Sequence, residues 1–277
     1  MATGAQPLSA SPASPASPEL AGADLERRFG GLRRLYGDLA YARLRAARVA
    51  VVGLGGVGSW AVEALARSGV AELQLFDLDH VAESNVNRQV QALGRTLGQA
   101  KTRALAERVA DIHPGCRVLE IDDFVQPDNW PALLPSPVDL LIDACDQSSA
   151  KLVLAQWALA SAVPLVCVGA AGGKRRAEAV SVEDLADTTH DPLLASLRQR
   201  LRKAGTAARQ GRIGLRCVFS REAVQRPAAV DCDIAGATAS GAALACAGYG
   251  SSVTVTATFG LVAAGEAIEQ LLAPRPG

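Results

Sequence analysis

A glycine-rich run, G-L-G-G-V-G at 53–58, follows the short apolar run Val49–Val52 and leads into a segment with helical spacing. It fits the pattern G-x-G-x-x-G. Glycines let a backbone turn tightly and approach an anion, and the N-terminus of the next helix aims unpaired N–H groups at that anion. The run predicts a phosphate-binding loop at Gly53, Gly55, Gly56 and Gly58. By itself it does not say which nucleotide binds.

Two carboxylates, Asp77 and Asp79, end the next apolar run. They lie about 20 residues past the loop, where a carboxylate in this arrangement usually accepts a hydrogen bond from a ribose hydroxyl. Asp77 is the better candidate for that role. Up to this point a dinucleotide dehydrogenase or a flavoprotein fits as well as an enzyme that uses ATP.

A polar cluster follows directly, and it favours ATP. The segment N-V-N-R-Q contributes Asn85, Asn87, Arg88 and Gln89, and Lys101 comes 12 residues after it. Fixed cations and amide donors suit a triphosphate and the charge of a phosphoryl-transfer transition state. A dehydrogenase has no need of such a cluster on its hydride-transfer face.

A pair of aspartates, Asp143 and Asp146, ends a later apolar run. Asp143 is expected to support the loop. Asp146 is predicted to hold Mg²⁺, which keeps few protein ligands and takes the rest from phosphate and water. The alternative is that Asp146 caps the helix that follows, because aspartate is a favoured N-cap residue.

Short apolar runs alternate with helical segments through the first half of the chain. Strands are predicted at 49–52, 73–76, 117–121, 138–142 and 164–168, with helices at 57–69, 97–112 and 147–161. This alternation predicts a doubly wound α/β fold with a mostly parallel, Rossmann-like sheet. Beyond it, strands are expected at 177–182 and 215–219, and helices at 192–203 and 258–272.

These elements divide the chain into three parts. Residues 1–22 repeat Ala-Ser-Pro, carry one acid and no base, and are expected to form a disordered leader. Residues 23–173 form the nucleotide-binding core. Residues 174–277 form a C-terminal extension on the same sheet, because no Pro/Ser-rich linker separates it.

Composition narrows the class of protein. The 277 residues are 49% hydrophobic with a formal net charge of zero, which excludes a disordered chain and a uniformly basic coat for nucleic acid. Six cysteines without a C-x-x-C pair, and no secretion signal, indicate reduced thiols in a cytoplasmic protein. The uncharged stretch 234–265, with period-2 alternation at 253–256, favours a buried segment containing a strand over a membrane helix.

Local charge is less balanced than the total. Residues 192–221 contain eight basic side chains and no acidic one, and Lys174-Arg175-Arg176 forms a second basic run. On a helix at 192–203, Arg198 and Arg202 are expected to point outward together. With Lys203, Arg209 and Arg212 they are candidates for a nucleic-acid surface. The alternative is a solvated face without a partner.

Taken together, G-x-G-G-x-G-S, D-x-D, N-x-N-R-Q, Lys101 and D-x-x-D resemble the ubiquitin-activating-enzyme-like, ThiF-type adenylyltransferases over 53–146. Within that superfamily the chain resembles the bacterial tRNA threonylcarbamoyladenosine dehydratases over 24–272. This resemblance rests on R-F-G-G-x-x-R-L-Y-G at 28–37, G-G-V-G-S-W at 55–60, D-D-F-V-x-P-D-N at 122–129, D-P-L at 191–193, C-V-F-S at 217–220 and V-T-A-T-F-G at 255–260.

The resemblance implies a function and a set of roles. The glycines would cradle ATP, Asp77 would bind its ribose, Arg88 and Lys101 its phosphates, and Asp146 would hold Mg²⁺. The reaction would be the ATP-dependent dehydration of N6-threonylcarbamoyladenosine beside the anticodon of a tRNA, through a carboxyl adenylate. No DNA partner is implied.

The resemblance also implies a homodimer in which an arginine of one subunit reaches the partner's ATP, with Arg28 as first candidate and Arg34 as second. The alternative within the superfamily is an adenylyltransferase for a ubiquitin-like sulfur carrier, against which the absence of zinc-binding C-x-x-C pairs counts. An NAD- or flavin-dependent oxidoreductase and a noncatalytic nucleotide-binding scaffold are further alternatives.

Overall fold

The computed structural model describes residues 24–225 and 249–273. The predicted leader at 1–22 lies outside these residues. The strands are Arg48–Val52 (β1), Glu72–Phe76 (β2), Arg117–Ile121 (β3), Leu140–Asp143 (β4), Leu165–Val168 (β5), Val180–Asp184 (β6) and Arg216–Ser220 (β7). The helices are Leu25–Tyr36 (α1), Asp38–Leu44 (α2), Gly58–Arg67 (α3), Lys101–Ile112 (α4), Ser148–Ser161 (α5), Pro192–Lys203 (α6) and Val253–Leu272 (α7).

All seven strands form one sheet in the order β3-β2-β1-β4-β5-β7-β6. Every neighbouring pair is parallel except β6 with β7 at the edge. The strand order reverses between β1 and β4, which opens a crevice at the carboxyl ends of these strands. The doubly wound, mostly parallel fold is confirmed, and the C-terminal extension adds β6 and β7 to the same sheet.

Helices cover both faces of the sheet and form two cores. One core contains α3, α4 and α7, with Leu65, Leu105 and Phe259 fully buried. The other contains α5 and α6, with Leu154 and Leu201 fully buried. A sheet that is apolar on both faces needs cover on each, which explains the continuous apolar runs of β1, β4 and β5.

The strand expected at 253–256 was a wrong prediction, because these residues form the first turn of α7. Four residues of alternation are too few to distinguish the two periods. Val255 and Phe259, four positions apart, instead continue a buried helical stripe through Ala263 and Ala267. The part of the segment at 234–248 lies outside the described residues.

Helix α7 bears on the question of a membrane. Within the described residues it is the helix that is long and apolar enough to cross a bilayer. Its buried face packs on α3 and the sheet, and Gly260 lies so close to α3 that a Cβ there would be 2.4 Å from the carbonyl oxygen of Val57. Such packing is typical of the core helix of a soluble protein.

Two other boundaries differ from the sequence prediction. Helices α1 and α2 precede β1, where the sequence pattern gave no element. Helix α4 begins at Lys101 rather than near 97, because Gly94–Thr96 is a 3-10 turn and Ala100 forms a β-bridge with His80. This late start places Lys101 in the first turn of α4.

Candidate active site

A cavity of about 710 Å³ lies at the carboxyl ends of the central strands. Its volume is in the usual range for small-molecule sites. It brings together most of the residues that the sequence predicted for a nucleotide site, namely Gly53, Gly55, Gly56, Asp77, Asp79, Asn85, Arg88, Gln89, Lys101 and Asp146. Gly58 and Asn87 are outside its lining.

The four glycines of the loop have different reasons to be glycine. Gly53 has a positive φ of 86°, and a Cβ there would lie 2.8 Å from the backbone nitrogen of Cys145. A Cβ at Gly58 would lie 1.8 Å from the carbonyl oxygen of Gly53, so this residue serves the turn itself. A Cβ at Gly55 would meet nothing, which leaves the backbone open to a ligand. The loop therefore fits a phosphate group.

Behind the loop, Asp77 is buried, and both of its carboxylate oxygens accept hydrogen bonds. Its carboxylate accepts hydrogen bonds from the backbone N–H of Leu54 at 2.7 Å and of Asp79 at 2.9 Å. Burial raises the pKa of Asp77, while Lys101 and the two N–H groups favour the charged form. Asp77 thus fixes the loop as well as facing the cavity.

The ammonium group of Lys101 lies between the carboxylates of Asp77 and Asp79. Its Nζ is 2.7 Å from Asp79 Oδ2 and 3.7 Å from Asp77 Oδ1, and its side chain is only 7% exposed. The side chain of Asp79 is 58% exposed. The ammonium group is therefore held at the cavity by fixed partners before any ligand binds.

Arg88 forms the roof of the glycine loop. Its aliphatic carbons lie against Gly56, where a Cβ would approach to 3.1 Å. Its guanidinium donates to the carbonyl of Ser84 at 2.8 Å and to the Oδ1 of Asn87 at 2.9 Å. Asn87 in turn donates to the carbonyl of Ser251, so it positions Arg88 from outside the cavity.

The side-chain amides of Asn85 and Gln89 differ in their access to the cavity. Asn85 accepts from the backbone N–H of Ala82 through its Oδ1 and still lines the cavity. Gln89 is buried, and its Oε1 accepts a hydrogen bond from Gln91. Asn85 is therefore better placed than Gln89 to contact a ligand.

A buried ion pair lies under the turn after β4. Lys151 Nζ is 2.8 Å from Asp143 Oδ2, and neither side chain has any exposed surface. Burial alone would lower the pKa of Lys151, but the Asp143 carboxylate holds it above its ordinary value. The other oxygen of Asp143 accepts from the backbone N–H of Cys145 at 3.2 Å. Asp143 thus supports the loop, as expected, and places Cys145 and Asp146 at the cavity.

Cys145 is not an activated nucleophile. Burial, with Asp143 next to it, raises the pKa of its thiol well above the ordinary value. Its sulfur donates to Asp143 Oδ1 at 2.9 Å. A thiol that keeps its proton contributes packing and hydrogen bonding rather than attack.

Asp146 lines the cavity, and the helix-capping alternative is not realised, because Gln147 is the N-cap of α5. No described residue forms a hydrogen bond with its carboxylate. The described residues contain no group of three or more metal-ligating side chains. A single carboxylate suits Mg²⁺ that arrives on the phosphates of a nucleotide, because Mg²⁺ commonly takes one or two protein ligands.

Several lining residues were missed by the sequence reasoning. Asp123 and Phe124 follow β3 and belong to the motif at 122–129, which was used only for the resemblance. Lys151, which lies beneath the cavity rather than in its lining, was also missed, because a lysine in an apolar helix carries no signal of burial. Gly169 and Leu193 belong to the far side of the cavity and come from the turn after β5 and from the start of α6.

The two candidate arginines for a contact in trans occupy different settings on α1. Arg28 donates to the carbonyls of Asp111 and Ile112, at 2.8 and 2.6 Å, and so caps the end of α4 within its own chain. Since α4 has 12 residues, this end lies roughly 16 Å from Lys101. Arg34 is exposed and has no ion pair within the described residues.

In the basic extension, two arginines are not oriented as the sequence predicts. Arg198 does not point outward, because its guanidinium donates to the carbonyls of Leu185 and Thr188, both at 3.0 Å. Arg202 turns toward the carbonyl of Gly211 at 3.3 Å. The Arg198 bonds are partly buried and stabilise the loop after β6, whereas the Arg202 bond lies at the surface.

Lys174 is likewise not part of the predicted basic surface. It is buried, and its ammonium donates to the carbonyls of His190, Ser220 and Glu222. Lys203, Arg209 and Arg212 are exposed, with Arg212 Nε 3.9 Å from Asp184. The cationic surface is therefore smaller than the sequence run indicates.

Comparison with known proteins places this chain in a family. A model of the ThiF family matches residues 29–276. The tRNA threonylcarbamoyladenosine dehydratase of Escherichia coli is 43% identical over 252 residues, which cover 89% of this chain and 94% of that protein. The protein of the same name from Haemophilus influenzae is 39% identical over 250 residues, covering 89% of this chain and 94% of that protein.

A solved structure agrees with these matches. The crystal structure of E. coli tRNA N6-threonylcarbamoyladenosine dehydratase in complex with ATP aligns with a TM-score of 0.80 at 40% identity, covering 90% of this chain and 96% of that one. The chain belongs to the ThiF family of adenylating enzymes. Within it, the relatives that match over nearly their whole length are bacterial tRNA threonylcarbamoyladenosine dehydratases, which confirms the resemblance found from the motifs.

Proposed function

We propose that this protein is an ATP-dependent tRNA threonylcarbamoyladenosine dehydratase. The observation that carries the proposal is the cavity, where an open glycine loop meets Lys101 and Arg88 in a chain 43% identical to the E. coli enzyme of that name. The crystallised relative that aligns with it binds ATP. ATP fits the residues present, because the open backbone at Gly55 and the two cations match its phosphates.

The chemistry begins with the threonyl carboxylate of the modified adenosine. It attacks the α-phosphorus of ATP and displaces pyrophosphate, forming an acyl adenylate. A carbamoyl nitrogen of the same substrate then attacks the activated carbonyl, loses its proton, closes a five-membered ring and releases AMP. The net result is the loss of one water from the nucleoside, with no protein nucleophile.

Two anions must meet in the first step, so the protein's task is electrostatic. Lys101 and Arg88 are already fixed at the cavity, and fixed charges stabilise a transition state without having to reorganise. The N–H groups of the glycine loop would hold phosphate oxygens. Asp77 and Asp79 hold Lys101, and Asp77 is the candidate for the ribose.

Asp146 is the proposed protein ligand for Mg²⁺. When bound, the ion would offset negative charge on the phosphates. We expect Asp146→Asn to raise the Mg²⁺ concentration needed for half-maximal activity at least tenfold. An unchanged Mg²⁺ titration would contradict this role.

The proposal also assigns parts of the chain. Residues 23–173 would carry adenylation, and 174–277 would carry substrate and dimer contacts in a cytoplasmic homodimer. Arg34 becomes the first choice for the arginine in trans, because Arg28 is bound within its own chain. Mixing subunits inactivated by Arg34→Ala with subunits inactivated by Lys101→Ala should restore one functional site per mixed dimer. Mixtures that stay inactive would contradict a role for Arg34 at the partner's ATP site.

The decisive experiment is incubation of the purified protein with ATP, Mg²⁺ and tRNA that bears threonylcarbamoyladenosine. Mass spectrometry of the nucleosides should show loss of one water, with release of AMP. The sulfur-carrier alternative instead expects ATP–pyrophosphate exchange that depends on a small protein with a Gly-Gly tail. No loss of water from the modified nucleoside would overturn the proposal.

A further inference from the structure

The two sides of the cavity differ in charge. Its charged lining residues follow β2, β3 and β4 or lie on the segment that leads into α4: Asp77, Asp79, Arg88, Lys101, Asp123 and Asp146. The side formed by the turn after β5 and the start of α6 has small or apolar side chains, at Gly169, Ala170, Ala171, Gly172 and Leu193. We call this second side the acceptor wall. Since β5 is three strands from β2, the acceptor wall lies roughly 14 Å from the edge formed by Asp77 and Asp79, whereas Asp146 follows the neighbouring strand β4.

One buried carboxylate holds the acceptor wall together. Asp191 Oδ2 accepts from the backbone N–H of Ala170 at 2.8 Å, and Asp191 Oδ1 accepts from the backbone N–H of Leu194 at 3.0 Å. The first contact fixes the turn after β5, and the second caps α6. Asp191 therefore joins two separate elements at the edge of the cavity.

The neighbours of Asp191 are adapted to this contact. A Cβ at Gly169 would lie 2.1 Å from Asp191 Oδ2, so the approach requires glycine. Pro192 occupies the first turn of α6, and Leu193 beside it lines the cavity. The D-P-L motif thus has a physical role that the nucleotide site does not use.

Helix α6 leads from the acceptor wall to the exposed cations. Leu193 lies at its start and Lys203 at its end, roughly 15 Å apart along the axis. Arg209 follows in the next loop. A polyanion held by these cations can therefore place one of its nucleosides near the acceptor wall.

We propose that the acceptor wall receives the modified adenosine of the tRNA, and that Asp191 is the positioning residue that fixes this wall to α6. The inference rests on the proposed function. An uncharged base can lie against small side chains and backbone, while the threonyl carboxylate extends toward the cations of the nucleotide side. The ATP site does not depend on Asp191 in this arrangement.

Asp191→Asn separates the two contacts of Asp191. Asparagine caps helices as well as aspartate does, so the bond to Leu194 can persist through the amide oxygen. The amide nitrogen then faces the N–H of Ala170, donor against donor. Asp24→Asn is the control, because the Asp24 carboxylate caps α1 through the N–H of Arg27 and has no second hydrogen bond in the described residues.

The measurements are the Kd for ATP and the kcat and KM for modified tRNA. For Asp191→Asn we expect the ATP Kd to stay within twofold and kcat/KM for tRNA to fall about tenfold or more, the effect of one lost hydrogen bond near 1.4 kcal/mol. Asp24→Asn should change neither. Unchanged kcat/KM, or an equal loss of ATP affinity, would overturn the proposal.

Leu193→Ala provides a second test should Asp191→Asn fold poorly. It widens the wall without touching the carboxylate, so the KM for tRNA should rise while ATP binding is retained. An unaltered KM for tRNA in this variant would show that the acceptor wall does not take part in substrate binding. Failure of the proposed function is distinguishable, because then the wild-type protein itself would not dehydrate the nucleoside.

Discussion

The nucleotide side of the cavity and the basic C-terminal extension are both rich in charge but are built differently. At the nucleotide side, Lys101 is buried between Asp77 and Asp79 and faces the cavity. In the extension, Arg198 and Lys174 are turned onto backbone carbonyls, whereas Lys203 and Arg209 lie exposed. Lys101 is therefore available to a ligand in the cavity, whereas the charges of Arg198 and Lys174 serve to satisfy backbone carbonyls of the fold.

The largest effect should come from the nucleotide side. Lys101→Ala removes a fixed positive charge from the site of adenylation, and we expect AMP formation to fall by about 10²–10³-fold, near 2.7–4 kcal/mol at the transition state. Single-turnover assays with modified tRNA measure this loss. Arg103→Ala is the control on the same helix, since Arg103 pairs with Glu107 and Glu120 away from the cavity. If both variants kept normal turnover, Lys101 would have no role in adenylation.

The next effect separates fold from function within the extension. Arg198→Ala removes the guanidinium donor from the carbonyls of Leu185 and Thr188, and only the Leu185 carbonyl keeps another donor, the Thr188 hydroxyl, so the free energy of unfolding should drop by about 1–3 kcal/mol. Urea denaturation measures the change, and Lys203→Ala, at an exposed position on the same helix, should leave it nearly unaltered. Equal stabilities for the two variants would show that Arg198 contributes no more to the fold than Lys203 does.

A smaller effect is expected from the exposed cations. Reversing Lys203 and Arg209 to Glu should raise the KM for tRNA about tenfold and flatten its dependence on salt, because phosphate contacts release counterions. The affinity for ATP should stay the same. A salt dependence identical to that of the wild type would show that these cations form a solvated face without a partner.

The smallest effect concerns the end of α4 away from the cavity, where His113 is buried. Burial, together with Arg45 and Arg28, lowers its pKa to about 4. The unfolded state therefore binds the proton first, so stability present at neutral pH is lost as the pH falls toward 4. Between pH 7 and pH 5.5 the loss should be about 1 kcal/mol. His113→Gln should flatten this slope in denaturation experiments and His80→Gln, at an exposed site, should not.

Much of the fold could be predicted, because its signals are local. The apolar runs that become β1, β4 and β5 are continuous, which is typical of strands covered on both faces. The segment at 253–256 was misread because four residues of alternation occur in a helix as well as in a strand. Helices α1 and α2 were not found, because their buried residues are few, with Phe29, Tyr41 and Leu44 facing the core.

The sequence by itself determined the order of the chemistry: a glycine loop, then carboxylates, then cations, at spacings that the βα units convert into one crevice. Only the tertiary structure decided which charges serve that crevice. Burial and the nearest hydrogen-bond partner set the role of a side chain, and both depend on elements distant in the chain. For this reason Lys101 lies at the cavity, Lys151 lies under it, and Arg198 belongs to the fold.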